Sequence, residues 1–529
     1  MTELRSPQPL GAFGIPAGFL LIDGGEDGSA VEAARETLVA GRLPREWPAE
    51  LEMHRLVHAD DLAGAAALVR DSADSVARYH RWLLGLDAGM SAESIVTDAA
   101  EVRAGLPSPV APLVDVVLHT LGLGPAPVLD ESDESVDSAE SAESAEPVDS
   151  VDSPGSASAL GRQILPGDGG ATSAVFPEVR ALVLAAGATE ALNSGDVVGA
   201  VEALQAAAEA ARDSAPVLAS LLLATSGGLQ ADLGNCTGAA DDLASAETGL
   251  AGTDLGEVRA EVLLRLGALA QARAAADTDQ RIALQEAMRH YYAGLQLVDE
   301  QSSPLVWGSL NLNLATAQLA VPMASASDQL RLGVAAQSLR ASRRVFTPEG
   351  YPQQWAAATL DLANALVYTP STHQADNLVE AVELYDEVLS SGVRDADPLA
   401  RARLLTNQGN APAHLGVFDE AKPKLLEARS LFEQNLEHQS ALAVGTILDE
   451  IRHAQGDSAA TDADDLAQLA RQADQMSRMP AQQSFTSGMG VRITRGGGGF
   501  GGAGGSVDTT PPPPPRVTVV DPATRPTKE

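Results

Sequence analysis

Apolar residues recur at three- and four-residue spacing over two long stretches of the chain. The first runs from Ser29 to about Gly122, with Ala33, Leu38 and Val39, then Leu51, Leu56, Leu62, Ala65, Leu68 and Val69. That period puts them on one face of helices. The second, from about Phe176 to Met476, is Ala/Leu-rich with the same period and no strand alternation. Ahead of both, Leu10 to Ile22 is mildly apolar but carries Gly11, Gly14, Pro16 and Gly18, and Asp23-Gly24-Gly25-Glu26 follows it. A glycine turn in place of a small-residue cleavage site argues against a secretory signal, and Phe19 to Ile22 reads as a short strand or extended arm.

Between the helical stretches the period is lost. From Glu134 to Asp152 an acid stands at every third position, and the segment from Asp130 to Pro154 has ten acids and no Lys or Arg. Self-repulsion and too little apolar surface to bury predict a disordered, extended spacer. After Met479, Gly488 to Gly505 holds ten glycines and Pro511 to Pro515 are consecutive prolines, a flexible coil followed by a stiff extended rod. The predicted organisation is an N-terminal helical domain at 1–128, an acidic linker at 129–172, a helical array at 173–476 and a Gly/Pro-rich tail at 477–529.

The array repeats itself. Residues 402–434 read as two antiparallel helices, with Gly409, Ala421 and Ala428 small where the helices must approach and Leu405, Leu415, Phe418 and Leu425 filling the seam. Gly416 suits the left-handed position that ends the first helix. Leu360-Asp361-Leu362-Ala363-Asn364-Ala365-Leu366 matches the first-helix motif, and Leu312-Asn313-Leu314-Ala315-Thr316-Ala317 matches it 48 residues earlier. Leu266-Gly267-Ala268, Gly227 and Gly195-Asp196 carry the pattern towards the N-terminus, and Ala454-Gln455-Gly456-Asp457 suggests a closing pair. Unit starts at 181, 220, 260, 308, 356, 402 and 442 give steps of 39, 40, 48, 48, 46 and 40 residues. Pro412 is expected to bend its helix.

The unit at 402–434 resembles the tetratricopeptide repeat, in length and in its small–aromatic–small order. The resemblance implies an all-α fold, an α-solenoid of such hairpins whose neighbours stack into a superhelix with a concave groove. It also implies that first-helix residues line the groove and hold an extended peptide or a partner helix. Carried onto this chain, those positions are Ser309, Leu312 and Thr316, then Ala357, Leu360 and Asn364, then Arg403, Thr406 and Asn410. Asparagine offers both a donor and an acceptor to a backbone amide, which suits peptide recognition, although the same side chains could serve only to bond neighbouring helices. The family's basic clamp for a terminal carboxylate would need several cations, and only Arg403 qualifies.

Composition narrows the partners. The chain has 529 residues, 72 acids against 35 bases and a formal net charge of −37, which repels phosphate backbones and makes nucleic acid an unsuitable partner. No apolar run is long enough to span a bilayer, so no membrane association is expected. One cysteine, Cys236, cannot form an internal disulfide or a thiolate zinc site, pointing to a reducing, cytoplasmic location. Arginine outnumbers lysine 32 to 3, a bacterial, GC-rich signature.

Candidate chemistry is sparse. His54 and His58 have metal-ligand spacing on a helix, but Arg55 stands where a zincin has glutamate, and His80 and Glu50 could complete a site only through the fold. Cys236 has no histidine base in its motif. Gly488 to Gly499 lacks the preceding strand and the Gly-Lys-Ser/Thr ending of a phosphate loop. Phe485, Met489, Val491, Ile493 and Phe500, interspersed with Arg492 and Arg495, read either as a spacer or as a docking peptide. No catalytic residue, metal or cofactor is assigned. The expected function is a non-catalytic scaffold that binds a protein or peptide through Thr316, Leu360, Asn364, Arg403, Thr406 and Asn410. Two alternatives are an assembly factor for a multisubunit enzyme using the tail, and a metal-dependent enzyme using His54, His58 and Asp60. Oligomeric state stays open.

Overall fold

A computed structural model describes residues 8–22, 28–86, 91–128, 175–274, 280–322, 327–369, 374–394 and 396–457. The acidic linker and the Gly/Pro-rich tail lie outside them. Nineteen α-helices account for most of these residues, and the fold is an all-α solenoid of helical hairpins. The chain divides between Leu255 and Gly256 into two compact units. Among the described residues no helix is long and apolar enough to cross a membrane.

In the N-terminal unit the arm does pair as an extended segment. Strand β1 (Gln8–Pro9) runs antiparallel to β2 (Leu21–Ile22), with Pro9 opposite Leu21, and Leu10, Leu20, Leu21 and Ile22 are buried. Six short helices follow: α1 (Ala30–Val39), α2 (Glu52–His58), α3 (Leu62–Val69), α4 (Ser75–Gly85), α5 (Ala92–Gly105) and α6 (Pro112–Thr120). Their starts are set by side-chain caps. Ser29, Asp61, Asp74 and Ser91 each accept a hydrogen bond from the backbone N–H three residues on, each worth about 1 kcal/mol. Two hairpins complete the unit, α7 (Pro177–Asn193) with α8 (Val197–Ala211) and α9 (Pro216–Asp232) with α10 (Cys236–Gly249). One core runs through all of these elements up to α9: Tyr79, Leu83, Leu113 and Val117 belong to it together with Val179, Val183 and Leu222. The Leu43 N–H donates to Asp254 Oδ2 at 2.8 Å and the Asp254 N–H donates to the Gly41 carbonyl at 2.9 Å, joining the first helices to the chain beyond α10.

The C-terminal unit continues the pattern with α11 (Gly256–Ala274) and α12 (Gln280–Leu295), α13 (Pro304–Ala320) and α14 (Ser327–Val345), α15 (Pro352–Tyr368) and α16 (Gln374–Ser390), α17 (Pro398–His414) and α18 (Phe418–Gln434), and last α19 (His438–Asp457). Each first helix begins four residues before the unit start read from the sequence, so the steps of 39 to 48 residues are reproduced. Five of these seven helices open on proline, at Pro177, Pro216, Pro304, Pro352 and Pro398. Proline suits that position because its missing N–H has no acceptor there in any case. Pro412 sits in the last turn of α17, which runs through it to His414.

A single packing rule repeats inside the hairpins. The twelfth residue of the first helix is always small: Ala188, Gly227, Gly267, Ala315, Ala363 and Gly409 in the six complete pairs. On the second helix a fully buried alanine (Ala200, Ala239, Ala287, Ala335, Ala381, Ala421) is followed four residues later by a buried Leu or Tyr. A Cβ on Gly227 would stand 2.7 Å from Leu243 Cγ and 3.1 Å from the Ala239 carbonyl oxygen; one on Gly409 would stand 2.8 Å from Leu425 Cγ and 3.1 Å from the Ala421 oxygen. At Gly267 the ring of Tyr291 occupies the space instead. The second helices of the C-terminal unit are also linked on their outer surface, by Arg340–Glu380 at 2.8 Å and Arg343–Glu387 at 2.8 Å, both from α14 to α16. Exposed pairs of this kind contribute about 0–1 kcal/mol each.

Gly409→Val is expected to destabilise the C-terminal unit by about 2 kcal/mol, because a branched side chain cannot enter the seam without moving Leu425 and the α18 backbone. Gly333, inside α14, has nothing within 4 Å of a Cβ. Gly333→Ala therefore gains about 0.5–1 kcal/mol from helix propensity alone. Urea unfolding followed by circular dichroism should show the two midpoints moving in opposite directions.

Candidate functional site

In the C-terminal unit consecutive first helices touch, α13 against α15 and α15 against α17. Polar side chains link them. Thr316 Oγ1 on α13 lies 3.0 Å from Asp361 Oδ2 on α15. Asn364 Oδ1 on α15 accepts from Asn407 Nδ2 on α17 at 3.1 Å and from the Tyr385 hydroxyl on α16 at 2.6 Å. Asn410 on α17 is hydrogen-bonded to Tyr368 at the end of α15. Three of the residues singled out from the sequence therefore take part in polar links between the neighbouring first helices α13, α15 and α17.

The others occupy varied positions. Leu360 is half-buried and Arg403 exposed. Thr406 Oγ1 donates to the Ala402 carbonyl of its own helix at 2.8 Å. Leu312 and Ala357 are buried and belong to the hydrophobic core of this unit. Asp361, Asn407, Tyr368 and Tyr385 are the partners in these links, and sequence pattern alone does not single them out. The available signal was Asp361 itself, a lone acid in the run Leu360-Asp361-Leu362-Ala363.

Hydrogen-bonding capacity is left over on this face. As its partners orient it, Asn364 spends its oxygen and keeps its amide Nδ2 without a partner among the described residues; Asn407 does the reverse, spending its amide and leaving its oxygen. Burial pushes the Asp361 carboxyl up to about 6, against the opposing pull of its Thr316 hydrogen bond and the charge of Arg394. Burial also pushes the Tyr385 hydroxyl above its ordinary range, keeping it neutral as a donor to Asn364.

The N-terminal histidines are arranged differently from their sequence spacing. His54 Nε2 lies 3.1 Å from the Leu21 carbonyl, and the Leu21 N–H donates to His80 Nε2 at 3.0 Å. The carbonyl can only accept and the amide can only donate, so His54 carries its proton on Nε2 and His80 on Nδ1. The two rings meet edge to face at 5.7 Å and hold the β2 backbone between them. The Tyr79 hydroxyl adds a bond to the Phe19 carbonyl at 2.9 Å. His58 packs instead against Phe13 and Trp47, with ring centroids 4.7 and 5.7 Å away, while Glu50 and Asp60 are exposed. Among the described residues no three His, Cys, Asp or Glu side chains gather as a metal site. Cys236 is exposed at the first position of α10.

A cleft of about 410 Å³ between α8 and α10 is lined by Gln205, Glu209, Arg212, Ser220, Asp242 and Gly249. Its acid is already committed: Asp242 Oδ2 accepts from Ser226 at 2.7 Å, Gln230 at 2.6 Å and Gln205 at 3.1 Å.

No family model matches the chain, and no curated protein matches it in sequence. Among solved structures it is similar to a Rap protein complexed with competence and sporulation factor, at 10% identity over 77% of this chain and 97% of that one, with a TM-score of 0.32. It is also similar to a circular tandem repeat protein with novel repeat topology and enhanced subunit contact surfaces, at 12% identity over 84% and 92% of the two chains, with a TM-score of 0.20. Neither likeness is close enough to assign a residue.

The buried groups set two pH dependences of opposite sign. Burial lowers His54 to about 4 and His80 to about 3. The unfolded chain thus binds protons that the folded chain refuses, and stability falls as pH drops from about 6.5 towards 4. Protonated His80 would also turn a donor on the Leu21 N–H. Trp82, in the same core, should report this loss by fluorescence, and His80→Gln, whose amide oxygen can accept the same bond, should weaken the dependence. Asp361 behaves in the other sense. Its folded-state value lies above the ordinary 3.8, so its contribution is present below that value and is lost as pH rises through about 6. Asp361→Asn should flatten this part of the pH–stability curve in chemical denaturation.

Proposed function

We propose that the chain is a non-catalytic, tetratricopeptide-like adaptor that holds an extended segment of a partner polypeptide against the first helices α13, α15 and α17. The observation that carries this reading is the unspent hydrogen-bonding capacity of Asn364 and Asn407 beside half-buried Leu360. A free amide donor on one helix and a free carbonyl acceptor on the next suit the alternating C=O and N–H groups of an extended backbone. Leu360 supplies apolar contact, and Arg403 and Asn410 extend the face along α17. The acid surplus of the chain disfavours nucleic acid as the ligand. A cytoplasmic location belongs to the same reading and rests on the use of a single cysteine in 529 residues.

Site-specific photocrosslinking tests the face directly. A photoreactive residue replacing Leu360 or Thr406 should form a discrete adduct with a polypeptide in native lysate. The same residue replacing exposed Val379, on second helix α16, should not. Adducts formed only from Val379 would place recognition on the other surface and sink the proposal.

A further inference from the structure

Asp361 is the acid of this face whose bonding is incomplete. It is 8% exposed. Its Oδ2 is 3.0 Å from Thr316 Oγ1, and that same hydroxyl is 3.0 Å from the Leu312 carbonyl. One hydroxyl proton cannot serve both acceptors. With Asp361 protonated, the acid donates to Thr316 and Thr316 donates to Leu312, so both bonds are made. With Asp361 ionised, one of the two is lost. The second carboxyl oxygen, Oδ1, has no hydrogen-bond partner among the described residues, yet it is not among the polar atoms closed off from solvent.

The neighbours of Asp361 do not neutralise it. Arg394, in the connection between α16 and α17, biases the carboxyl without coming within ion-pair distance, and it responds to Asp397 as well. From α16 the titratable neighbour is Tyr385, itself beside Tyr368 of α15, and both are phenols held neutral by burial. From α13 the contact is Thr316, which carries no charge. Ionising Asp361 in this setting leaves a poorly solvated carboxylate with an open oxygen, one helical turn from the unspent Asn364 amide.

We propose that Asp361 is the seat for one lysine or arginine side chain of the bound segment, which replaces the proton on the carboxyl and engages Oδ1. This rests on the reading that the first-helix face binds a polypeptide, and it specifies the chemistry of that polypeptide. A cationic donor compensates both the charge and the missing hydrogen bond, whereas a neutral donor compensates only the second. The net charge of −37 draws basic segments towards the chain in the same direction. Because the cation displaces a proton, affinity should rise with pH through the range in which Asp361 ionises.

The test is a displayed library of random peptides selected against the full chain, with Asp361→Asn and Asn407→Ala as parallel baits. The wild type is expected to enrich peptides that share a Lys or Arg at one position. Asp361→Asn keeps the hydrogen bond to Thr316 and should stay folded. It should retain the rest of the motif, lose the basic preference and bind the best basic peptide about tenfold more weakly. Peptides without a shared basic residue, or an unchanged basic preference on Asp361→Asn, would overturn the role of Asp361. If those peptides still fail to bind Asn407→Ala, the face itself stands. No enrichment on the wild type, or enrichment indifferent to Asn407→Ala, would overturn the binding face and this inference with it.

Discussion

Everything in the repeat array depends on two helices coming closer together than ordinary side chains allow. At Gly227 and Gly409 the opposing helix arrives with a carbonyl oxygen and a leucine inside the volume a side chain would fill. Glycine in a helix interior costs about 1 kcal/mol relative to alanine. The contact it permits seats Leu243 or Leu425 fully inside the hairpin, and burial of a leucine contributes roughly 1.5–3 kcal/mol. The alanine row on the second helices follows from the same approach, since all six of its members are completely buried. Once the seam is closed by small and apolar residues, polar side chains have few positions left. Those on α13, α15 and α17 gather where one first helix meets the next.

Burial pushes several titratable groups of the interior towards their neutral forms, although the chain as a whole is strongly acidic. His54 and His80 are held neutral by burial, and Asp361 is shifted towards its protonated form by the same cause. Charged pairs such as Arg340 with Glu380 and Arg343 with Glu387 lie on the outer surface, where water meets most of the solvation cost. Desolvation is the common rule, and the sign of each pH response depends only on whether the buried group is an acid or a base.

Much of the fold was legible because its decisive contacts are local in sequence. Ala421 lies twelve residues beyond Gly409, and the pair reads as a hairpin from spacing alone. The spacing of such small residues marks every first helix of the array, and Pro216, Pro304 and Pro352 stand at the starts of three of them. The candidate face was only partly legible. Thr316, Asn364 and Asn410 follow from the register, but their partners do not. Tyr385 is 21 residues from Asn364, Asn407 is 43 from Asn364 and Asp361 is 45 from Thr316. Those separations depend on connections whose lengths differ from unit to unit. The histidines show the same limit, since the backbone that His54 and His80 hold, at Leu21, is 33 and 59 residues away.

The unevenness of the repeats has a consequence for assembly. Hairpins that look alike can close on the wrong partner while a long chain is folding, and exchange between neighbours is a common failure of repeat proteins. Here the residue that enters the seam is not the same in every hairpin: Leu243 stands against Gly227 and Leu425 against Gly409, but Tyr291 against Gly267. A leucine facing the gap left for Tyr291 leaves a void. The departures from an ideal repeat thus act as identity marks, setting hairpins closed by tyrosine apart from those closed by leucine.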